Sequence, residues 1–246
     1  MIGIMSAMQE EIQALLNHLE DAKKHTKGKR DYYTGRLFGQ EVAIVFSRWG
    51  KVASATTATQ LINDFDLDEL VFTGVAGGIA PDMNIGDIVI GTQLVQYDMN
   101  AVPLFNLFEI PLLNKTFFET NGSSREQLTN ASQSFINNYT QAISENDSKS
   151  LGIKNPKVVV GAIASADQFV STKTQVDFIT TNLESVLCVE MEGAAVAQVC
   201  YEYDMPFSIL RIISDNANSD AHVDFPVFTE KIASKYALEI FKNYVQ

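Results

Sequence analysis

Glu190 and Glu192 stand two residues apart in a run that is otherwise apolar and small. Leu187, Cys188 and Val189 precede them, and Ala194, Ala195, Val196 and Ala197 follow. An unpaired carboxylate is expensive to bury, so two in such a run point to a polar ligand. On an extended backbone the Glu-x-Glu spacing puts both side chains on one face. Gly193-Ala194-Ala195 then lets a helix start close against neighbouring backbone. The pair is expected at a strand-to-helix junction, where α/β proteins commonly bind ligands.

Four other places carry chemistry-bearing side chains. Glu11 falls in the first turns of a helix, where a solvated carboxylate favoured by the helix dipole is the plainer reading. Gly74-Val75-Ala76-Gly77-Gly78 follows a strand and allows close approach of backbone to ligand, or simply a tight turn. It is neither Gly-x-Gly-x-x-Gly nor a Walker sequence. Ser165-Ala166-Asp167-Gln168-Phe169 ends another strand, with Phe169 available to stack on a planar base or to join the core. The apolar strand ending in Arg211-Ile212-Ile213-Ser214-Asp215 places Asp215 at its tip, where it could also cap the next turn. A guanidinium at Arg211, in mid-strand, needs an acid or a polar network. Acids, one arginine and a glycine-rich turn thus all fall at strand ends.

The elements that must position these residues alternate. Residues 2–5 read as a strand. Ser6-Ala7-Met8-Gln9 fits a capping box, and Ile12, Leu15, Leu16 and Leu19 form a helical stripe. Residues 22–30 are basic and polar and read as a loop. Residues 32–38 and 42–46 flank Gly39-Gln40 as a hairpin. A tightly packed helix is expected over 50–63, and strands over 70–73 and 85–95. Pro103, Pro111, Phe105, Phe108, Phe117 and Phe118 mark 97–126 as a long ordered loop. A helix over 127–143, a polar connector over 144–156, a strand over 158–166 and a helix over 172–181 follow. Strands over 186–190 and 207–214 flank a helix over 194–203. Phe228, Ile232, Tyr236, Ile240 and Tyr244 recur every fourth residue in a last helix. The alternation predicts one three-layer α/β domain over 1–246, with a central mixed, mostly parallel, twisted sheet flanked by helices.

Composition narrows the class. The 18 Lys+Arg against 30 Asp+Glu give a net charge of −12, which argues against nucleic acid and anionic membranes as partners. Cys188 and Cys200 sit in apolar surroundings and read as buried free thiols, with no disulfide framework. The start of the chain lacks a basic segment and a signal-length apolar run, and no stretch approaches a membrane span of about 20 residues, so cytoplasm is expected. His18, His25 and His222 have no metal-ligand spacing. No Gly-x-Ser-x-Gly elbow is present.

Ala7-Met8-Gln9-Glu10-Glu11, Thr73-Gly74-Val75-Ala76-Gly77-Gly78, Val189-Glu190-Met191-Glu192 and Ile213-Ser214-Asp215, in this order, resemble the 5'-methylthioadenosine/S-adenosylhomocysteine nucleosidases of the wider purine nucleoside phosphorylase superfamily. The likeness runs from Ile2 to the last helix. It implies that Asp215, held by Ser214, is the general acid at adenine N7, and that Glu11 positions or deprotonates the attacking water. Glu192 would bind the ribose 2'- and 3'-hydroxyls, with Met191 packing under the sugar. Phe169 would stack on adenine, and the backbone of Val170 would read its edge. Arg211 and Glu190 would support the water and carboxylate network. Gly77, Val75, Met8, Trp49 and Phe225 complete the expected site. N-glycosidic cleavage develops cationic character at C1' and negative charge on the base, which suits carboxylates and an acid of raised pKa. No cofactor is required.

Two residues depart from the pattern. Val75 stands where many relatives carry Ser, and Trp49 replaces a small aliphatic residue. Residues 97–156 also look longer than usual. The resemblance leaves rivals: a phosphorylase using Arg48 and Lys51, an aminodeoxyfutalosine or 5'-deoxyadenosine nucleosidase, and a non-catalytic adenosine-binding or storage protein. Residues 102–113, with Leu104, Phe105, Leu107 and Phe108, are too apolar for a free loop. They predict a homodimer, or a loop folded onto its own core. By resemblance, Leu104 or Phe105 would enter the neighbour's 5' pocket.

Overall fold

The computed structural model describes residues 1–218 and 220–245. The first half of the chain runs β1 (Ile2–Ser6), α1 (Gln9–Asn17), β2 (Glu20–Lys27), β3 (Arg30–Leu37), β4 (Gln40–Phe46), α2 (Lys51–Asp64), β5 (Glu69–Phe72), β6 (Val75–Gly78), β7 (Ile88–Gln96) and β8 (Phe117–Glu119). The second half runs α3 (Gly122–Asn137), α4 (Tyr139–Ala142), α5 (Glu145–Ser150), β9 (Val158–Ser165), α6 (Lys173–Asn182), β10 (Val186–Glu190), α7 (Gly193–Glu202), β11 (Phe207–Asp215), α8 (Ala221–Phe228), a π-helical turn (Thr229–Ala233) and α9 (Ser234–Tyr244).

Among the described residues the eleven strands join one mixed sheet in the order β2-β3-β4-β1-β5-β11-β6-β10-β9-β7-β8. β4, β1, β5, β11 and β6 run parallel, whereas β2, β3 and β8 pair antiparallel, as does β6 with β10. The sheet also bends back on itself: β11 pairs antiparallel with β7, which closes β11, β6, β10, β9 and β7 into a ring. Strand β11 is therefore flanked on both edges, and all nine of its residues are buried. This explains its near-continuous apolar run. Helices cover both faces. Ile12 and Leu15 of α1, Leu128 and Phe135 of α3 and Ile240 of α9 pack in one core. Ala58 and Leu61 of α2 with Val196 and Cys200 of α7 pack in the other. A Cβ on Gly193 would lie 2.8 Å from side-chain carbons of Ile209 and Leu94, so the first turn of α7 does press on the sheet as its small residues suggest.

Several local expectations need correction. Residues 22–30 are not a loop, because most of them form the edge strand β2. Its side chains are almost all exposed, so no apolar alternation marks it, and backbone pairing with β3 alone defines it. The first helix starts two residues later than the proposed capping box. Met8 is the N-cap, and Glu11, not Gln9, closes the turn by accepting the Met8 N–H at 3.0 Å. The stretch 97–126 is interrupted by β8 and by the start of α3, whose cap is the Asn121 side chain. The connector 144–156 contains the short helix α5, capped by Ser144. The last helical stripe is real but longer: α8, the π turn and α9 run on without a break, and the five residues read as a stripe are all buried. Among the described residues no helix is long and apolar enough to cross a membrane.

Candidate active site

One cleft collects most of the expected residues. Met8, Glu11, Trp49, Val75, Gly77, Phe169, Val170, Glu190, Met191, Glu192, Ser214, Asp215 and Phe225 all line it. So do Ala7, Ala76, Gln168 and Val189, which sequence reasoning did not single out. It encloses about 560 Å³ including its open mouth, within the range of small-ligand sites. Three aromatics crowd one another at this cleft: the Phe225 ring lies edge-on to Trp49 at 5.9 Å and to Phe169 at 6.0 Å. Trp49 and Phe169 remain 53% and 41% exposed, so they form rim rather than core.

Glu11 is not the solvated helix-start carboxylate of the plainer reading, because it is buried. One of its oxygens, Oε2, accepts from Ser6 Oγ (2.9 Å) and from the N–H groups of Ala7 (3.0 Å) and Met8 (3.0 Å). The other, Oε1, accepts from the Val75 N–H at 3.0 Å. Burial raises its pKa, opposed by the nearby Arg211 charge and by these hydrogen bonds. The glycine-rich stretch expected as a turn is instead, from Val75 on, strand β6, paired with β11 and β10, and it makes room for carboxylates: a Cβ on Gly74 would come within 2.9 Å of Glu11 Oε1, and one on Gly77 within 2.9 Å of Asp215 Oδ1.

Glu190 and Glu192 line the same cleft but hold different partners. Strand β10 ends at Glu190, whose carboxylate turns onto the start of α7 and accepts from the N–H groups of Glu192 (3.2 Å) and Gly193 (2.8 Å). It also accepts from Ser165 Oγ and from Arg211 Nη2 at 2.7 Å. The Arg211 guanidinium lies over the Phe72 ring at 4.1 Å and donates to the carbonyl of Leu210 at 3.0 Å. The acid that the buried arginine demanded is therefore Glu190. Glu192 accepts the Gly50 N–H at 2.8 Å. Burial, reinforced by the neighbouring Glu190 charge, pushes its pKa up to about 8.

Asp215, at the end of β11, accepts from Ser214 Oγ (2.9 Å) and from the Ala217 N–H (2.9 Å), so it caps the next turn as well as facing the cleft. Arg211 is absent from the cleft wall and acts on it through its bond to Glu190 and the field it exerts on Glu11 and Glu192. Leu104 and Phe105 also lie outside it. Leu104 is 84% exposed, whereas Phe108 and Ile110 of the same segment are buried, Phe108 edge-on to Phe178. The segment folds partly onto its own chain and leaves its tip uncovered.

A sheet bent into a ring, with acids at its strand ends and a glycine-rich strand beside them, defines a nucleoside-cleaving class of α/β protein. The chain belongs to the phosphorylase superfamily, whose family model matches residues 1–246. Its relatives narrow the class. It is 33% identical over 247 residues to the 5'-methylthioadenosine/S-adenosylhomocysteine nucleosidase of Staphylococcus carnosus, covering 99% of this chain and 100% of that one. It is 35% identical over 237 residues to the aminodeoxyfutalosine nucleosidase of Helicobacter pylori, covering 94% and 93%. The crystal structure of the Neisseria meningitidis 5'-methylthioadenosine/S-adenosylhomocysteine nucleosidase with methylthio-immucillin-A superposes with a TM-score of 0.86, at 29% identity over 98% of each chain.

Proposed function

We propose that the protein hydrolyses the N-glycosidic bond of 5'-methylthioadenosine and S-adenosylhomocysteine, releasing adenine and the 5-thioribose derivative. The observation that carries this reading is the buried Glu11 carboxylate in the same cleft as Glu192 and Asp215. A carboxylate held by four donors suits handling of a neutral water, and its negative charge disfavours a phosphate nucleophile at the same place.

In this mechanism adenine enters between Phe169 and the Val170 backbone. Asp215 protonates N7 as the C1'–N9 electrons move onto the base, and Ser214 holds the acid in line. Glu192 accepts the ribose 2'- and 3'-hydroxyls, bonds that favour its charged form, and Met191 packs beneath the sugar. Glu11 takes a proton from the water that attacks C1'. Its raised pKa brings it nearer the operating pH of a general base. Glu190 and Arg211 fix the floor of the site. Met8, Trp49 and Phe225 surround the 5' substituent. The whole chain works as one domain, in the cytoplasm, and its products feed methionine salvage. It works as a homodimer, with Leu104 or Phe105 of one protomer completing its partner's 5' pocket.

The 35% identical aminodeoxyfutalosine nucleosidase favours a second reading, the same chemistry on that substrate. Incubation with 5'-methylthioadenosine, S-adenosylhomocysteine and aminodeoxyfutalosine, with and without phosphate, separates the cases. Free thioribose products at a rate independent of phosphate are expected. A ribose 1-phosphate product overturns hydrolysis, and cleavage of aminodeoxyfutalosine alone moves the assignment to the second reading.

A further inference from the structure

Lys51, Asp98 and Asp167 have no part in the mechanism above, yet they join the loops that carry it. Lys51 Nζ donates to Asp98 Oδ1 at 2.6 Å. The other oxygen, Asp98 Oδ2, accepts the Asp167 N–H at 3.1 Å. Asp167 Oδ1 then accepts the Lys51 N–H at 2.8 Å. These bonds return to the residue where they began, closing a ring through three segments distant in sequence. Lys51 and Asp98 are largely shielded, with side chains 17% and 19% exposed. Lys51 Nζ also donates to Gln96 Oε1 (3.2 Å), and Gln96 Nε2 donates to Gln198 Oε1 (2.7 Å) on α7, the helix that Glu192 caps.

Two pocket walls hang on this ring. Gly50, next to Lys51, gives its N–H to Glu192 Oε1. Its φ of +92° favours glycine, and a Cβ there would stand 2.9 Å from Asp167 Oδ1. The ring therefore presses on the Gly50 backbone with no side chain between. On the other side, Asp167 leads directly into Gln168, Phe169 and Val170. We propose that Lys51, Asp98 and Asp167 are positioning residues whose ring fixes the Gly50 N–H on the Glu192 carboxylate and holds the Phe169 segment in register with it. The inference rests on the reading of Glu192 as the ribose-binding carboxylate.

Without the lysine charge, Asp98 and Asp167 face each other uncompensated and the ring opens. Substrate binding then suffers, while Glu11 and Asp215 keep their places. A second consequence follows from what faces Glu192: the Glu190 and Glu11 carboxylates, the Arg211 guanidinium and the Gly50 N–H. The Gly50 bond lowers the pKa of Glu192 against burial, so its loss moves ionisation of Glu192 to higher pH.

The test uses Lys51→Met, Lys51→Arg, Asp98→Asn and the Lys51→Met/Asp98→Asn double variant with 5'-methylthioadenosine. A charge-assisted hydrogen bond worth about 1.5–3 kcal/mol corresponds to roughly 10–150-fold, so Lys51→Met should raise KM about tenfold or more with kcat within about threefold. The acid limb of kcat/KM should move to higher pH, and Lys51→Arg should restore KM. The double variant should cost no more than the worse single one, as members of one network do. Hydrogen exchange, which needs no turnover, should show Gly50 and Lys51 amides losing protection in Lys51→Met while β1 and β11 keep theirs. Unchanged Gly50 protection with unchanged KM overturns the proposal. So does a parallel loss of kcat and KM quality that follows Tm, is not restored by Arg, and leaves the acid limb in place. Failure of the wild-type protein to cleave any 5'-substituted adenosine removes the functional reading, and the exchange measurement still decides the ring.

Discussion

Replacing Glu192 with Gln should stabilise the protein in mild alkali while impairing it as an enzyme. Burial and the Glu190 charge raise the Glu192 pKa from 4.5 to about 8. Below about pH 4.5 the group is neutral whether the chain is folded or not, and the site costs nothing. Between these limits the unfolded chain releases a proton that the folded one keeps, so stability falls as pH rises, and the full penalty is present above pH 8. At about 1.4 kcal/mol per pH unit the span amounts to roughly 5 kcal/mol as an upper bound. A Gln side chain is neutral throughout and still offers an oxygen to the Gly50 N–H. For a chain of this length 1 kcal/mol corresponds to about 2–4 °C, so a quarter of the bound already raises Tm by a few degrees. Calorimetry of both proteins at pH 5 and pH 8.5 is the assay, each variant compared with wild type in the same buffer. The gain should be present at pH 8.5 and nearly absent at pH 5. An equal Tm change at the two pH values, or a lower Tm for Glu192→Gln at pH 8.5, refutes the reasoning. The same variant should raise KM for 5'-methylthioadenosine, since it removes charge-assisted bonds to the ribose.

Asp215→Asn should lower adenine release by about 10²–10⁴-fold, because the amide keeps the turn contacts but cannot protonate N7. Activity within a few-fold of wild type removes Asp215 from that role. Glu11→Gln should reduce kcat far more than it raises KM, since its partner in the mechanism is water. An intact kcat with weakened binding contradicts the assignment. Arg211→Met leaves Glu190 without its counter-charge in a nearly dry site, where breaking such a pair costs about 3–5 kcal/mol. Thermal unfolding should fall by roughly 6–20 °C, and a drop under about 2 °C means Glu190 is held well enough by its amide donors. Phe105→Asp should yield a monomer by light scattering, with activity lost in step. A fully active monomer sinks the shared pocket.

The fold was readable where burial writes a pattern. β11, flanked on both edges, needs a run of apolar residues and has one; β2, exposed on both faces, has no such requirement and reads as a basic loop. The candidate site was readable for a related reason. Carboxylates and an arginine inside apolar strands are costly, so Glu190, Glu192, Arg211 and Asp215 stand out from their neighbours. Glu11 gave a weaker signal, because an acid early in a helix is ordinary until the Val75 N–H and Ser6 Oγ are seen to converge on it. Lys51, Asp98 and Asp167 gave none. Each is a common charge in a polar context, and the ring exists only once chain segments 47 and 116 residues away meet.

The Glu-x-Glu motif shows how far spacing alone carries an argument. Two acids two residues apart on an extended backbone suggest a matched pair acting on one ligand, and both do reach the same cleft. Their surroundings make them unlike. Glu190 is saturated by two N–H groups, a hydroxyl and a guanidinium. Glu192 has the Gly50 N–H, and burial beside an ionised neighbour drives it toward the neutral form. An acid with that much unmet demand for donors gains most from two ribose hydroxyls, so binding of substrate and ionisation of Glu192 are linked. The tighter a ligand donates to Glu192, the lower its pKa becomes in the complex, and a nucleoside lacking the 2'- or 3'-hydroxyl loses that linkage along with its affinity. Proton release on binding, measured by calorimetry in buffers of different ionisation enthalpy near pH 7, should therefore be larger for a ribonucleoside inhibitor than for its 3'-deoxy analogue. Equal release by the two would leave Glu192 without a ribose partner.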